Sequence, residues 1–310
     1  MEKNTLDEVL KKALKEKPLD LNFPYLNSKI NGIWPDLYII SGASSMGKTT
    51  FVTQIAWNIV CNNKKTEAIF FSLDHKSSDI SIKIASQSLE IPFSYLKNLD
   101  NSNEKFDRKM KNKLQRLKKL YQKITLFDTG IRKIISVEDI IDIIEKKREM
   151  DPTLNLILII DQFDNLENEN SLNALKKLKN LCRTHNLTIF LTLSIAGECE
   201  YTRPSRKNIS NYADFISISY AFITLYTDFI LNFETPFLEW DWQLNNQLVP
   251  ITELFVHKNK IEPFTGSVFY RFYQDFSLFR ECLIPEIQNF IDMTDNLKSH
   301  NPKKIIDKVE

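Results

Sequence analysis

The residues Gly42-Ala43-Ser44-Ser45-Met46-Gly47-Lys48-Thr49 fill every position of the pattern Gly-x-x-x-x-Gly-Lys-Thr. Glycines at the ends of such a loop let the backbone turn sharply, so that successive N–H groups point at an anion. Lys48 supplies a compact positive charge to β- and γ-phosphates, and the Thr49 hydroxyl is placed to ligate Mg²⁺. Residues 42–49, with Thr50 beside them, are therefore expected to hold a nucleoside triphosphate, ATP with Mg²⁺. The alternative is a chance match in a loop. A strand before the loop and an amphipathic helix after it argue against chance, and the helix dipole would favour the anion.

A second acidic position completes such chemistry. Asp161 ends an apolar run, Leu156-Ile157-Leu158-Ile159-Ile160, 113 positions beyond Lys48. A carboxylate at the C-terminal end of a central parallel strand faces the ligand crevice and can hold a water of the Mg²⁺ shell. A strand-ending Asp that caps a turn is the bland alternative. Hydrolysis further needs a carboxylate to orient water, and Asp74 and Asp164 are the candidates. His75 beside Asp74 reads as a neutral or exposed histidine rather than a catalyst.

These groups must be positioned by a scaffold, and the apolar pattern supplies one. Strands are expected over 37–40, 68–73, 124–127, 156–161 and 188–194, with further candidates over 215–220, 253–257 and 268–273. Helical spacing follows the loop from about Thr49 and recurs over 80–89, 104–123, 137–144 and 172–181. Continuous apolar strands alternating with helices indicate an α/β fold, a mainly parallel twisted sheet with helices on both faces. Leu6, Val9, Leu10, Ala13 and Leu14 suggest an N-terminal helix. The expected organisation is an N-terminal helical and extended segment over 1–30, an ATPase domain over 31–280 and a polar, basic helical tail over 281–310.

The 310 residues are 43% hydrophobic and carry a formal net charge of +1, so a sizeable core is affordable and no global field draws the chain to nucleic acid. The cysteines at 61, 182, 199 and 282 lack the close spacing of a zinc ribbon or redox pair. The charged start has no apolar centre, and no apolar run reaches the roughly 18 residues a membrane helix needs. A cytoplasmic protein without a membrane partner is expected.

The segment Ser45-Met46-Gly47-Lys48-Thr49-Thr50-Phe51 closely resembles the phosphate loop of DnaB-type replicative helicases, which are RecA-like ATPases. Phe70-Phe71-Ser72-Leu73-Asp74 is similar to that family's Phe-Ser-Leu-Glu segment, whose Glu activates water. Leu156–Asp161 resembles its Mg²⁺-associated strand, and 175–185 leading into 188–194 its next helix and strand. Val256-His257-Lys258-Asn259-Lys260, then Pro263-Phe264-Thr265-Gly266, looks like its Lys-Asn-Arg-x-Gly-Pro-Thr-Gly hairpin. The order holds over about residues 28–280. The resemblance implies catalytic roles for Lys48, Asp74 and Asp161, with Lys258 and Lys260 acting in trans on a neighbouring subunit. It also implies a homo-oligomeric ring such as a hexamer, single-stranded DNA as substrate, and replication or accessory proteins as partners.

The departures matter as much. Asp74 stands where the family has Glu, one methylene shorter and about 1.5 Å further from its water. Ile195 follows Leu193-Ser194 where the family has Gln, and cannot hydrogen-bond a γ-phosphate. Lys260 replaces the hairpin arginine, keeping charge but losing the planar fork; such a finger is worth about 10³–10⁵ in rate in related enzymes. Slow hydrolysis with intact binding is the expectation. Only about 30 residues precede the core, which argues against a helicase that loads a primase.

Residues 104–123 hold nine Lys or Arg. They form either a solvated helix face or a phosphate-binding one. Arg203, Arg206 and Lys207 follow the strand near 190, where RecA-like rings place channel loops, and are candidate contacts to DNA phosphates. Lys258 and Lys260 also read as strand-edge lysines. Trp240 and Trp242 flank Asp241 in a segment, 234–250, that the family pattern does not require. The leading reading is a ring-forming, DnaB-like helicase or helicase-related replication ATPase. The alternative is a non-helicase RecA-fold protein that uses bound ATP for oligomer or partner assembly. A recombinase-like or clock-type RecA relative is a third.

Overall fold

A computed structural model describes residues 17–98, 108–130, 136–166, 171–195, 209–227, 238–241, 247–261 and 264–282. The expected N-terminal helix at Leu6–Leu14, the stretch with Arg203, Arg206 and Lys207, Trp242 and the tail beyond 282 lie outside these residues.

Six strands run parallel: β1 (Leu37–Gly42), β2 (Thr66–Ser72), β3 (Ile124–Asp128), β4 (Asn155–Asp161), β5 (Thr188–Ser194) and β6 (Ala221–Thr227). β8 (Gln247–Asn259) pairs antiparallel with β6, β9 (Gly266–Tyr273) antiparallel with β8, and β10 (Leu278–Glu281) antiparallel with β9. The order is β10-β9-β8-β6-β1-β5-β4-β2-β3, with β7 (Leu238–Asp241) paired to β8 outside this path. The middle strands are apolar on both faces because both are covered. β1 is buried throughout, and β4 throughout after Asn155.

One face carries α2 (Lys48–Asn62), α3 (Ser77–Leu89) and α5 (Arg108–Tyr121), around Phe51, Ile55, Ile84 and Leu117. The other carries α6 (Val137–Met150), α7 (Ser171–His185) and α8 (Ala213–Ile218), around Ile140, Ile144, Leu175 and Leu178. A capping box between Ser136 and Asp139 starts α6. The short α1 (Pro24–Ile30) buries Leu26 and Ile30 in the first cluster, and the Glu281 carboxylate accepts from the N–H groups of Tyr25 and Leu26. Residues just before 31 thus pack with the rest of the core. The short α4 (Phe93–Lys97) follows α3.

One strand assignment is corrected. Phe215–Ile218 is helical, within α8, and the strand lies later, at β6. Alternating Phe215-Ile216-Ser217-Ile218 mimics a strand, but Phe215, Ile216 and Ile218 all pack on the second cluster, which a short helix permits. Ser219 N–H closes that turn on the Phe215 carbonyl.

The switch from parallel to antiparallel after β6 has a geometric result. β6 runs toward the edge where β1 ends, so β8 starts there, with Thr252 opposite Thr227, and runs away to Asn259 opposite Ala221. Lys260 is therefore at the opposite edge of the sheet from Gly42.

Candidate nucleotide site

β1 ends at Gly42 and α2 begins at Lys48, so the loop between them crosses the C-terminal edge of the parallel strands. Two glycines are required by close approach. A Cβ on Gly42 would stand 2.7 Å from the Leu225 carbonyl oxygen, and one on Gly47 would stand 2.9 Å from the Phe279 ring. Gly47 also has φ +85°, the left-handed region. Ser45 adopts φ 63° as well. Both flanking strands brace the loop: Ile195 N–H donates to the Gly42 carbonyl at 3.1 Å, and Thr227 N–H to the Met46 sulfur at 3.2 Å.

Lys48 is buried, and its ammonium donates to the carbonyls of Gly42 (2.9 Å) and Ala43 (2.8 Å). Burial pushes its pKa down, and the charges of Asp161 and Asp164 oppose this. Ala43 and Met46 are buried and Ser44 and Ser45 exposed, so the loop's outer turn meets solvent.

Asp161 ends β4 fully buried. The Thr192 hydroxyl donates to its Oδ1 at 2.7 Å. Burial pushes the carboxyl pKa up, against the stabilising effects of the Thr192 and Thr49 hydroxyls and the charges of His75 and Lys48. The other oxygen, Oδ2, has no hydrogen-bond partner among the described residues. A buried carboxylate oxygen without a donor is costly unless a cation or its water completes it.

Asp74 stands two residues past Ser72, which is in register with Asp161, so both carboxylates reach the same sheet edge. Asp74 is exposed and pairs with His75 at 3.4 Å. Asp164 instead accepts from Ser194 N–H at 2.7 Å, and burial raises its pKa. Ile195 is buried in the second apolar cluster; only its backbone touches the phosphate loop.

Lys258 lies far from this edge. Its ammonium donates to the carbonyls of Ile216 (2.7 Å), Ser217 (2.8 Å) and Ser219 (2.6 Å), at the C-terminus of α8. Lys260, two residues on, is exposed. The structure thus brings Gly42–Thr50, Asp161 and Asp74 together and leaves both lysines outside that group.

Sequence reasoning missed Thr192, although a threonine amid the apolar residues of β5 was the available signal. It also missed two buried glutamines that hold the loop's helix. Gln54 exchanges two 2.8 Å bonds with the backbone of Phe279, and Gln87 donates to the carbonyls of Thr50 (3.2 Å) and Ser277 (2.6 Å). Lys83, from α3, reaches the Thr50 hydroxyl at 3.3 Å. Nothing in the sequence pattern distinguished these three from surface residues.

The donor set fits Mg²⁺ with a triphosphate. Among the described residues no cluster of three His, Cys, Asp or Glu could cage a metal by itself. One carboxylate and one hydroxyl, completed by phosphate oxygens and water, is the usual arrangement for Mg²⁺.

The sequence profile of the DnaB-like helicase C terminal domain matches residues 19–280. The chain belongs to this family. Against known proteins, this DnaB-like chain is 25% identical over 262 residues to a probable replicative DNA helicase from Trieres chinensis, covering 81% of the chain and 54% of the relative. The chain thus spans about half the length of that relative. Three solved structures share the fold of the DnaB-like chain. A solved ATPase domain, 18% identical, superimposes with a TM-score of 0.74 over 91% of this chain and all of its own. A DnaB-like replicative helicase, described with its interactions with primase, is 18% identical with a TM-score of 0.72, covering 89% of this chain and 67% of its own. A KaiC-like protein from the archaeon Pyrococcus horikoshii OT3 is 16% identical with a TM-score of 0.53, covering 86% and 99%. DnaB-like ATPase domains use nucleotide and Mg²⁺, and the residues above suit both. Among the described residues no helix is long and apolar enough to cross a membrane.

Proposed function

We propose that this chain is the Mg·ATP-dependent motor domain of a DnaB-like replicative helicase, assembled as a cytoplasmic homo-oligomeric ring on single-stranded DNA and turning over slowly. The observation that carries the reading is the pairing of a braced phosphate loop with the buried Asp161, one of whose oxygens has no partner in the described chain. Gly42–Thr50 wrap the phosphates, and Lys48 exchanges its carbonyl partners for β- and γ-phosphate oxygens. Thr49 and, through water, Asp161 would hold Mg²⁺, which would supply charge neutralisation to the triphosphate. Asp74 orients the attacking water and takes its proton.

Lys260 supports the oligomer. β strands rise about 3.3 Å per residue, and four to five residues of β6 separate the level of Gly42 from that of Lys260. That is about 15 Å of sheet, beyond reach of the chain's own phosphate loop, so any role for its charge in ATP turnover would be at a neighbour's site. Lys258 would accompany it across the subunit boundary, after releasing α8. Arg203, Arg206 and Lys207 would contact DNA phosphates rather than bases. Replication or accessory proteins are the expected further partners.

The test is ATP turnover with and without single-stranded DNA, alongside molecular mass with and without ATP. The expected result is ATP-dependent assembly with slow, DNA-stimulated hydrolysis. Assembly with negligible turnover and no DNA effect would favour an ATP-dependent assembly protein instead. No nucleotide binding at all would reject both.

A further inference from the structure

α5 carries seven cations, Arg108, Lys109, Lys111, Lys113, Arg116, Lys118 and Lys119, and no acid. Leu117 is buried, and Met110, Leu114, Leu120 and Tyr121 pack beside it on the first core cluster, so the apolar stripe is already used. The cations other than Lys113 are exposed and cover the outward half of the helix. None of the seven forms an ion pair with a described residue, and the acids of the neighbouring α3 segment are taken: Asp79 by Lys97 at 3.1 Å and Glu90 by Arg280 at 3.4 Å. With a whole-chain net charge of +1, this face concentrates positive charge that the rest of the chain offsets. Lys113 and Arg116 also border a cleft of about 490 Å³, with Arg280 among its other walls.

Unpaired like charges on one short helix repel one another, and a polyanion relieves this by replacing condensed counterions. From Arg108 to Lys119 the helix rises about 16 Å. A duplex presents one charge per about 1.7 Å of axis, so several phosphates fall within that span. Aromatic platforms are what proteins use to stack unpaired bases. This face offers none: its one ring, Tyr121, is partly buried with its hydroxyl 2.6 Å from Ser81 Oγ. The apolar side is committed to the core, so insertion into a lipid surface is not open to it either.

We infer that the outer face of α5 binds the sugar-phosphate backbone of nucleic acid without base recognition, and duplex in preference to single strand. This surface shares no residue with the nucleotide site, and the inference does not rest on the proposed ATPase function. It would hold DNA on the outside of the domain.

The experiment uses the full chain without nucleotide and follows fluorescence anisotropy of a labelled duplex of about 20 base pairs and of one of its strands, over a salt series from about 50 mM upward. The variant Lys109→Gln/Arg116→Gln/Lys119→Gln is compared with Lys146→Gln/Lys176→Gln/Arg183→Gln, which removes equal charge from the exposed faces of α6 and α7. The wild type should bind duplex more tightly than single strand. The α5 variant should lose about tenfold or more in duplex affinity and up to about three units of salt slope, while the control stays within about twofold. Lys111→Gln/Lys118→Gln, on the same face, repeats the measurement should the triple variant melt at a lower temperature. Equal losses in both triple variants, loss in neither, loss for single strand alone, or no duplex binding by the wild type would each overturn the inference. So would a salt-sensitive fall in molecular mass in the α5 variant with unchanged DNA binding, which would make the face a contact to a second copy.

Discussion

Lys48, Thr192 and Asp161 are each at or below 5% exposure and bonded to one another's surroundings, whereas Asp74 and Lys260 stand in solvent at two different edges of the sheet. In the proposed function Lys48 and Asp161 of the first set would hold phosphate and metal, with Thr192 supporting Asp161, and the second set would act on water and on a neighbour. Between them sits Ile195, whose side chain has left the polar site for the apolar core while its N–H still braces Gly42. Binding groups are fixed by the fold of one chain, so substitution there disturbs packing as well as chemistry. The exposed Asp74 and Lys260 are free of that constraint, and they are positions where the sequence departs from the helicase motifs it resembles.

Three measurements break or sharpen this contrast. The largest effect belongs to Lys48→Ala. Losing a charge-assisted contact to phosphate costs about 3 kcal/mol, near or beyond a hundredfold in ATP affinity by calorimetry. Undiminished binding would remove the loop from the site. Next, Asp74→Glu combined with Lys260→Arg should raise steady-state turnover about tenfold, a small part of the 10³–10⁵ an arginine finger can supply. Affinity for ATP should stay within a factor of two or so if binding and use are separable.

The smallest effect concerns Asp161. Burial places its folded pKa above the unfolded value. The folded state therefore favours the protonated form. That contribution to stability is fully present below the ordinary carboxylate pKa and is lost as pH rises through the raised value. Mg²⁺ needs the ionised form, so Mg·ATP affinity should climb over the same window, in the opposite sense. Asp161→Asn should flatten both profiles and raise the stability of the free protein near neutral pH by about 1 kcal/mol. Denaturant titration and calorimetry across pH check the two halves.

The arrangement of the phosphate loop and the strand ending at Asp161 was legible in the sequence because its constraints are local. Gly47 must turn, Lys48 and Thr49 must follow it, and five apolar residues must precede Asp161. The strand order was not written in any single segment, and neither were the supports that come from afar. Thr192 meets Asp161 only because β4 and β5 are neighbours. Gln54 and Gln87 find Phe279 and Ser277 across more than 180 residues. At 215–220 the local pattern pointed to a strand, but the second apolar cluster could cover those side chains from a helical turn, and β1 took Ala221–Thr224 as its partner instead. The position of Lys260 was not legible for the same reason: it depends on the direction of β8, which follows from the pairing with β6.

The three carbonyls gripped by Lys258 give α8 and β8 a shared mechanical fate. α8 begins six residues after Lys207 in the sequence, and β8 ends one residue before Lys260. The hairpin end of β8 is thus tied to α8 by one ammonium group, acting as a strut, in addition to the β6 strand that both adjoin. A displacement of the end of β8 next to Lys260 would therefore be felt at α8 as well as at β6.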